Sequence, residues 1–357
     1  MTTVLATIVV IGILIFVHEL GHFLVAKWYG VGVEVFSLGF PPKLLHKQIG
    51  ETDYRLSVIP LGGYVRMVGE NPREEIPEYL IPKSFSNRPL RQRTAIVAAG
   101  PLFNLFFSIV ALTLTFSFTG IPYFTTEIGG VQPDSPAAEA GLQPGDRILR
   151  IDQQPVERWE EMARMIRQSG EKPLDLTIQR GEEKFRLTLT PRRLETSNIF
   201  GEKVSEVLIG VAVSNNPQFE QVNPLFAFWR GVTYTAGILE VTTVSVVKLI
   251  TQKIPLKSLG GPIMIAQVAG QQAEMGVSNL IHFMAVLSVN LALLNILPIP
   301  MLDGGHLFFF LLEAIRGKPI KLKHREMAQS IGLMIILVLM FVVFYNDIMR
   351  LLGPSQP

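Results

Sequence analysis

The chain contains no cysteine in 357 residues. That excludes a disulfide framework, thiolate metal ligands and a cysteine nucleophile. Charge is also sparse: only 17% of residues are Asp, Glu, Lys or Arg, where a soluble domain carries about a quarter. Part of the length is therefore expected to lie in lipid. The net charge of +2 is too small for a nucleic-acid surface, and no nucleic-acid partner is expected. The opening MTTVLATIVV lacks a basic residue, and no small-residue cleavage site follows its apolar run. It is expected to stay as a span rather than leave as a signal peptide.

What is present is apolar length. Residues 4–26, 94–118, 280–302 and 327–346 are each long enough, and poor enough in charge, to cross a bilayer core of about 30 Å. The first is interrupted only by His18, Glu19 and His22. Short loops rich in Lys and Arg stay in the cytoplasm. Residues 27–93 hold ten such residues, from Lys27 to Arg93, and 316–325 hold Arg316, Lys318, Lys321, Lys323 and Arg325. Four spans then put both termini outside, together with the long segment 120–275. Within it, 221–251 is apolar apart from Arg230, Glu240 and Lys248, which fall within about 80° of one another on a helix. That stripe suits an amphipathic helix, either in the membrane interface or packed on a soluble domain.

Between 122 and 193 the composition turns ordinary. The run SPAAEAGLQPGDRILRID from Ser135 to Asp152 predicts a short helix, a turn and a strand. Trp159, Met162, Ala163 and Ile166 repeat at helical spacing. Leu174, Leu176 and Ile178, then Phe185, Leu187 and Leu189, alternate as strands around Gly181. The run resembles the PDZ domains attached to bacterial proteases, which implies binding of extended peptides by strand addition. No carboxylate-binding loop is legible near Ile128, Gly129 and Gly130.

The first span carries His18-Glu19-Leu20-Gly21-His22. Four helical residues separate the histidines by about 40° in azimuth and about 6 Å in rise, so both imidazoles can reach one metal ion. Glu19 stands beside them as a candidate general base. Ionisable groups near the bilayer centre cost roughly 3 kcal/mol each. Structural zinc supplies about 10 to 16 kcal/mol, whereas an ordinary hydrogen bond supplies about 1. A proton relay and a purely structural polar cluster compete for the same residues. Catalytic zinc takes a third protein ligand, and Asp303, following Pro298 and Pro300 at the inner end of span three, is the candidate at a matching depth. His282, His306 and His324 are left out; His306 is expected at most to orient Asp303.

Taken together, HELGH, Gly100-Pro-Leu-Phe-Asn104, one PDZ-like run and the NxxPxPxxDG pattern from Asn295 to Gly304 resemble the intramembrane site-2 zinc metalloproteases of the bacterial regulator of sigma-E protease type. The resemblance runs nearly end to end. It implies Zn2+ held by His18, His22 and Asp303, Glu19 as the catalytic base and Asn295 holding the substrate backbone. It also implies a membrane-associated hairpin at about 54–68, in which Tyr54, Leu56 and Val58, then Tyr64 to Met67, flank Pro60, Leu61, Gly62 and Gly63. Pairing with that hairpin, at Gly62, Gly63 and Tyr64, would hold an unwound substrate. Gly100 and Asn104 are expected to be structural, at a close helix–helix approach. Relatives with two PDZ modules are common, whereas this chain has room for one.

The implied fold is a polytopic α-helical membrane protein with four transmembrane helices, a cytoplasmic-side β-hairpin and one inserted extracytoplasmic PDZ (α/β) domain. Its expected divisions are a first membrane half (1–119), the PDZ domain (120–200), a linker with an amphipathic helix at about 224–251 (201–275) and a second membrane half (276–357). The implied function is intramembrane cleavage of single-span membrane proteins in the bacterial plasma (inner) membrane, such as anti-sigma factors or remnant signal peptides, with a peptide or pre-cleaved substrate at the PDZ domain. The competing class is a non-enzymatic PDZ-bearing receptor with a structural metal site; a transporter is a further rival.

Overall fold

The computed structural model describes residues 2–71 and 73–352. The chain divides into two units, one made of residues 1–115 and 224–357 and the other of residues 116–223.

The first unit is helical. Helix α1 (Thr2–Trp28) leads into strands β1 (Val33–Ile49) and β2 (Thr52–Met67), followed by α2 (Leu90–Thr119). The second unit then intervenes, and the first resumes with α5 (Pro224–Ile250), α6 (Pro262–Met275), α7 (Val277–Ile296), α8 (Asp303–Arg316) and α9 (Leu322–Leu352). Among the described residues five helices are long and apolar enough to cross a membrane: α1, α2, α5, α7 and α9. The addition to the four charge-poor stretches is α5. It runs alongside α7, with Tyr234 on His282 and the Thr242 hydroxyl donating to Asn290, and meets α2 through Ser108 and Thr235.

Small residues set the helix contacts, as expected where lipid offers no hydrophobic drive for association. A β-carbon at Gly21 would lie 2.5 Å from the Ala99 carbonyl oxygen, so α1 and α2 touch backbone to side there. Ala6, Val10 and Leu14 of α1 pack with Ala269 of α6 and Met284 of α7. Span three is shorter than its apolar run. Pro298 cannot continue a helix, so α7 ends at Ile296, a short irregular segment follows, and Asp303 opens α8.

The strands depart from the expected hairpin. Residues 54–58 and 64–67 do not pair with each other. Phe36 faces both Tyr54 and Val65, Ser37 faces both Arg55 and Tyr64, and Leu38 faces both Leu56 and Gly63. Residues 33–40 therefore lie between the two, while the tight turn falls at Gly50, joining 43–49 to 52–57. The inserted strand is buried at Val33, Val35, Phe36 and Ser37. Its Val- and Phe-rich run is what a two-sided buried strand needs. Residues 63–67 become an edge strand, packed on α1.

The second unit is α/β. It comprises β3 (Ile121–Tyr123), β4 (Ile128–Val131), α3 (Pro136–Glu139), β5 (Arg147–Ile151), β6 (Gln154–Pro155), α4 (Trp159–Ser169), β7 (Leu174–Arg180), β8 (Glu183–Leu189), β9 (Arg192–Ser197), β10 (Lys203–Leu208), β11 (Val211–Val213) and β12 (Gln218–Glu220). The predicted short helix, strand, helix and strand pair appear as α3, β5, α4 and β7–β8. The unit extends past residue 200, because β11 pairs with β4 and β12 with β3. Residues 201–223 are thus part of it rather than linker. Its core joins Ile128, Ile148, Ile151, Met162, Leu176 and Ile178. Asp146, buried, accepts two 2.7 Å hydrogen bonds from Arg180, which hold its carboxyl below the usual carboxylate range against the opposing effect of burial.

Candidate active site

His18 and His22 sit on the buried face of α1, 9% and 8% exposed, with their Nε2 atoms 3.2 Å apart. Asp303, brought in by α8, places Oδ2 3.1 Å from His18 Nε2 and Oδ1 3.5 Å from His22 Nε2. Among the described residues this is the one group of three or more His, Asp or Glu side chains whose ligand atoms all fall within 4.8 Å of one another.

The outer nitrogens explain why the inner ones converge. His22 Nδ1–H donates to the Ile96 carbonyl at 2.9 Å, which leaves Nε2 as a bare lone pair. The Asn104 amide stands 3.2 Å from His18 Nδ1. With its oxygen toward the ring, it accepts the Nδ1 proton and fixes the same tautomer. The orientation of an amide is set by its bonding network, and this choice also serves Asn104 Oδ1, otherwise buried without a partner. Asp303 Oδ2 is likewise buried and accepts no hydrogen bond. Two imidazole lone pairs then face a carboxylate, an arrangement that repels unless a cation is shared. Zinc, which takes His and Asp donors in catalytic sites with an open position, fits this donor set.

The surrounding residues shape the cradle. A β-carbon at Gly100 would fall 2.3 Å from His22 Nε2 and 2.8 Å from His18 Cε1, so this glycine makes the space that the imidazoles occupy. Gly100 and Asn104, expected at a close helix–helix approach, lie at such an approach between α2 and α1 and also border the metal group. Gly304 and Gly305 let α8 close over the end of α7, where β-carbons would meet the carbonyl oxygens of Ile296 and Ile299 at 2.1 and 2.4 Å. Asp303, on the first turn of α8, gains from the positive end of the helix dipole. Arg93 of α2 grips Glu313 of α8 with two hydrogen bonds of 2.5 and 3.3 Å, fixing that helix.

Glu19 points to the edge strand. Its carboxylate lies against the Val65 backbone N–H, and a β-carbon at Gly63 would sit 3.4 Å from its Cγ. Gly62 is covered by the Phe40 ring, which stacks on Tyr64 at 6.4 Å. Asn295 occupies the last turn of α7, half-buried, with no side-chain hydrogen bond among the described residues. The structure records no bond between His306 and Asp303. Ile96 was not foreseeable, since a carbonyl acceptor leaves no mark in side-chain sequence; Arg93 and Glu313 were visible only as charges flanking apolar runs.

In the second unit, β11 pairs on one side only, with β4, among the described residues. Beside it a cavity of about 420 Å³ is lined by Trp159, Met162, Ala163 and Ile166 of α4 together with Gly210 and Val211. The peptide-sized recess therefore lies by residues 208–212, while Ile128 to Gly130 form β4.

Apolar helices that carry such a group define a membrane-embedded metallopeptidase. The chain belongs to peptidase family M50, whose sequence model matches residues 6–339. It is 37% identical to "Putative zinc metalloprotease Atu1380" of Agrobacterium fabrum, over 97% of this chain and 95% of that one. It is 35% identical to "Putative zinc metalloprotease Cj1068" of Campylobacter jejuni, over 98% and 94%. Among solved structures it is similar to the PDZ domain of the SdrC-like protein of Listeria monocytogenes, at 19% identity over 26% of this chain and 90% of that one, with a TM-score of 0.21. The enzyme is a metalloprotease, and its cofactor is zinc.

Proposed function

We propose that the enzyme is an intramembrane endopeptidase that cleaves the transmembrane segments of single-span membrane proteins, such as anti-sigma factors or remnant signal peptides. One observation carries this reading: Glu19 lies between the His18–His22–Asp303 group and the edge strand 63–67, at 3.4 Å from the β-carbon position of Gly63.

His18, His22 and Asp303 would hold the zinc, which when bound makes water more acidic and polarises a peptide carbonyl. Glu19 accepts the proton of the attacking water and delivers it to the leaving amine nitrogen. The Asn295 amide, without a side-chain hydrogen bond among the described residues, donates to the substrate carbonyl as charge develops on it, a contact typically worth about 3 kcal/mol. A substrate helix must first unwind, because its carbonyls are already bonded. The edge strand 63–67 replaces the lost bonds by strand addition.

The basic residues of 27–93 and 316–325 support an orientation with the site toward the cytoplasm. The crossings are α1, α2, α7 and α9, both termini and the α/β unit are outside, and the membrane is the bacterial plasma membrane. The recess beside β11 takes an extended peptide or the end of a pre-cleaved substrate.

The test compares wild type with Glu19→Gln in detergent on a single-span peptide, with and without a chelator. Cleavage by wild type alone, abolished by the chelator, is expected. Equal turnover by both proteins removes the reading. A receptor with a structural metal predicts no cleavage by either.

A further inference from the structure

Beside the metal group lies a recess of about 750 Å³, lined by Arg66 and Met67 at the end of β2, by Glu70, by His306 of α8, and by Arg325 and Glu326 of α9. Most of its charges are matched. Arg66 bonds Glu34 and Glu74, each at 2.8 Å, and Arg73 bonds Glu326 at 2.6 Å. Glu70 has no cation partner among the described residues and accepts from the Met67 backbone N–H at 3.2 Å, and Arg325 is the one arginine of the lining without a carboxylate partner among them. Its guanidinium lies over the Phe309 ring at 6.0 Å, its Nε is buried without an acceptor, and no carboxylate among the described residues pairs with it. A guanidinium on one wall of a cavity, with a buried donor unmet, calls for an anion.

The recess also continues the path of the edge strand. Residues 63–67 pass Glu19 at Gly63 and Val65 and reach the recess at Met67. At about 3.3 Å per residue, Val65 to Met67 spans roughly 7 Å. The 63–67 strand pairs antiparallel with 33–38, and a substrate segment added in the same sense directs its N-terminal side toward Met67. His306, one turn beyond Asp303 on α8, is common to the recess wall and the helix that carries the metal ligand.

We propose that this recess receives the N-terminal fragment of the cleaved segment and that Arg325 binds the carboxylate created on it. The proposal rests on the protease reading. Hydrolysis breaks the C–N bond and places the water oxygen on the carbonyl carbon; one fragment leaves as a carboxylate and the other, having taken up a proton, as an amine. The uncut segment presents a neutral amide at the same point. Arg325 therefore discriminates product from substrate and draws the fragment away from the metal group.

The test measures direct binding, to the full-length zinc-loaded protein in detergent, of an N-acetylated hexapeptide of alternating leucine and alanine, prepared as free acid and as carboxamide. Wild type is expected to bind the acid at least about ten-fold more tightly. Arg325→Gln, with zinc content at the wild-type level, brings the ratio below about two-fold. Equal binding of acid and carboxamide by wild type overturns the proposal without recourse to any variant. A preference that survives Arg325→Gln also overturns it and places the carboxylate on the metal group. Binding is read without turnover, so a wild-type protein that cleaves nothing fells the protease reading separately.

Discussion

Gly100 lies so close to His22 that a β-carbon at this position would stand 2.3 Å from Nε2. The contact is with the ligating edge of a ring that is itself anchored, through Nδ1, to the Ile96 carbonyl. The imidazole cannot retreat without breaking that bond. Gly100→Ala is therefore expected to displace His22 from its partners and to lower zinc affinity at least ten-fold, with a parallel loss of cleavage. Metal analysis after dialysis against a weak chelator reads the effect. A variant that keeps a full equivalent of zinc and normal turnover would show that the helices part freely here.

Asn104 tests the tautomer argument. Partners that orient a metal-bound imidazole typically contribute 10- to 100-fold in metal affinity or activity. Asn104→Ala removes the acceptor for His18 Nδ1–H and is expected to lose affinity within that range. Asn104→Asp keeps an acceptor and is expected to retain more than the alanine variant. Chelator competition ranks the three proteins. An aspartate variant weaker than alanine would mean that the amide nitrogen, not its oxygen, faces the ring.

The edge strand can be tested apart from metal binding. At Gly63 a β-carbon meets the Ser37 carbonyl at 2.8 Å and Ile15 at 3.1 Å, so a bulky residue must push the strand off α1. Gly63→Leu is expected to cut cleavage at least ten-fold while zinc content stays at the wild-type level, since none of the three ligands is touched. Unchanged cleavage removes the strand-addition step.

How much of this was legible in sequence differs by element. The pair His18 and His22 was, because helix geometry turns a four-residue spacing into one face. Asp303 was reached through depth and topology, and the glycines after it explain how α8 closes over α7. The sheet was misread in its pairing. Tyr54 to Val58 and Tyr64 to Met67 both alternate as strands, and a tight turn between them was the local solution. The true partner, residues 33–40, came earlier in the chain, and local pattern does not say which strand enters between two others. Asn104 was assigned to helix packing because a lone Asn on an apolar helix looks the same whether it bonds a backbone or a ring. Residues 201–223 read as linker because β11 and β12 are only three residues each and gain their place through β4 and β3.

Asp146 makes the α/β unit sensitive to acid. Its carboxyl accepts from Arg180, which lowers its pKa below the unfolded value of about 3.9. A depressed carboxylate stabilises above the unfolded pKa, and that contribution disappears as pH falls through the folded value. No change is expected between pH 8 and 5. Below about pH 4, hydrogen exchange at residues 174–180 of the full-length protein, corrected for intrinsic rates, is expected to accelerate. Asp146→Asn should remove most of that pH dependence and exchange faster than wild type at neutral pH. A wild-type profile that stays flat down to pH 3 would exclude the pair as a source of acid lability.

The last helix holds α6 through one buried carboxylate. Asp347, 1% exposed, accepts from the backbone N–H groups of Gly261, Ile263 and Met264 at 3.0, 2.9 and 3.2 Å, and so caps the start of α6 from a different helix. The first N–H groups of a helix have no partner within it, and here the Asp347 carboxylate supplies one. Asp347→Ala leaves these donors unmet and is expected to cost about 1 to 3 kcal/mol. Because α6 packs on the N-terminal half of α1 through Gly270 and Thr3, the loss should appear as a lower melting temperature in detergent, with the zinc content of the folded fraction unaltered. Asp347→Asn, which keeps one carbonyl acceptor but not the charge, should fall between the two. An alanine variant as stable as wild type would show that α6 is held by packing alone.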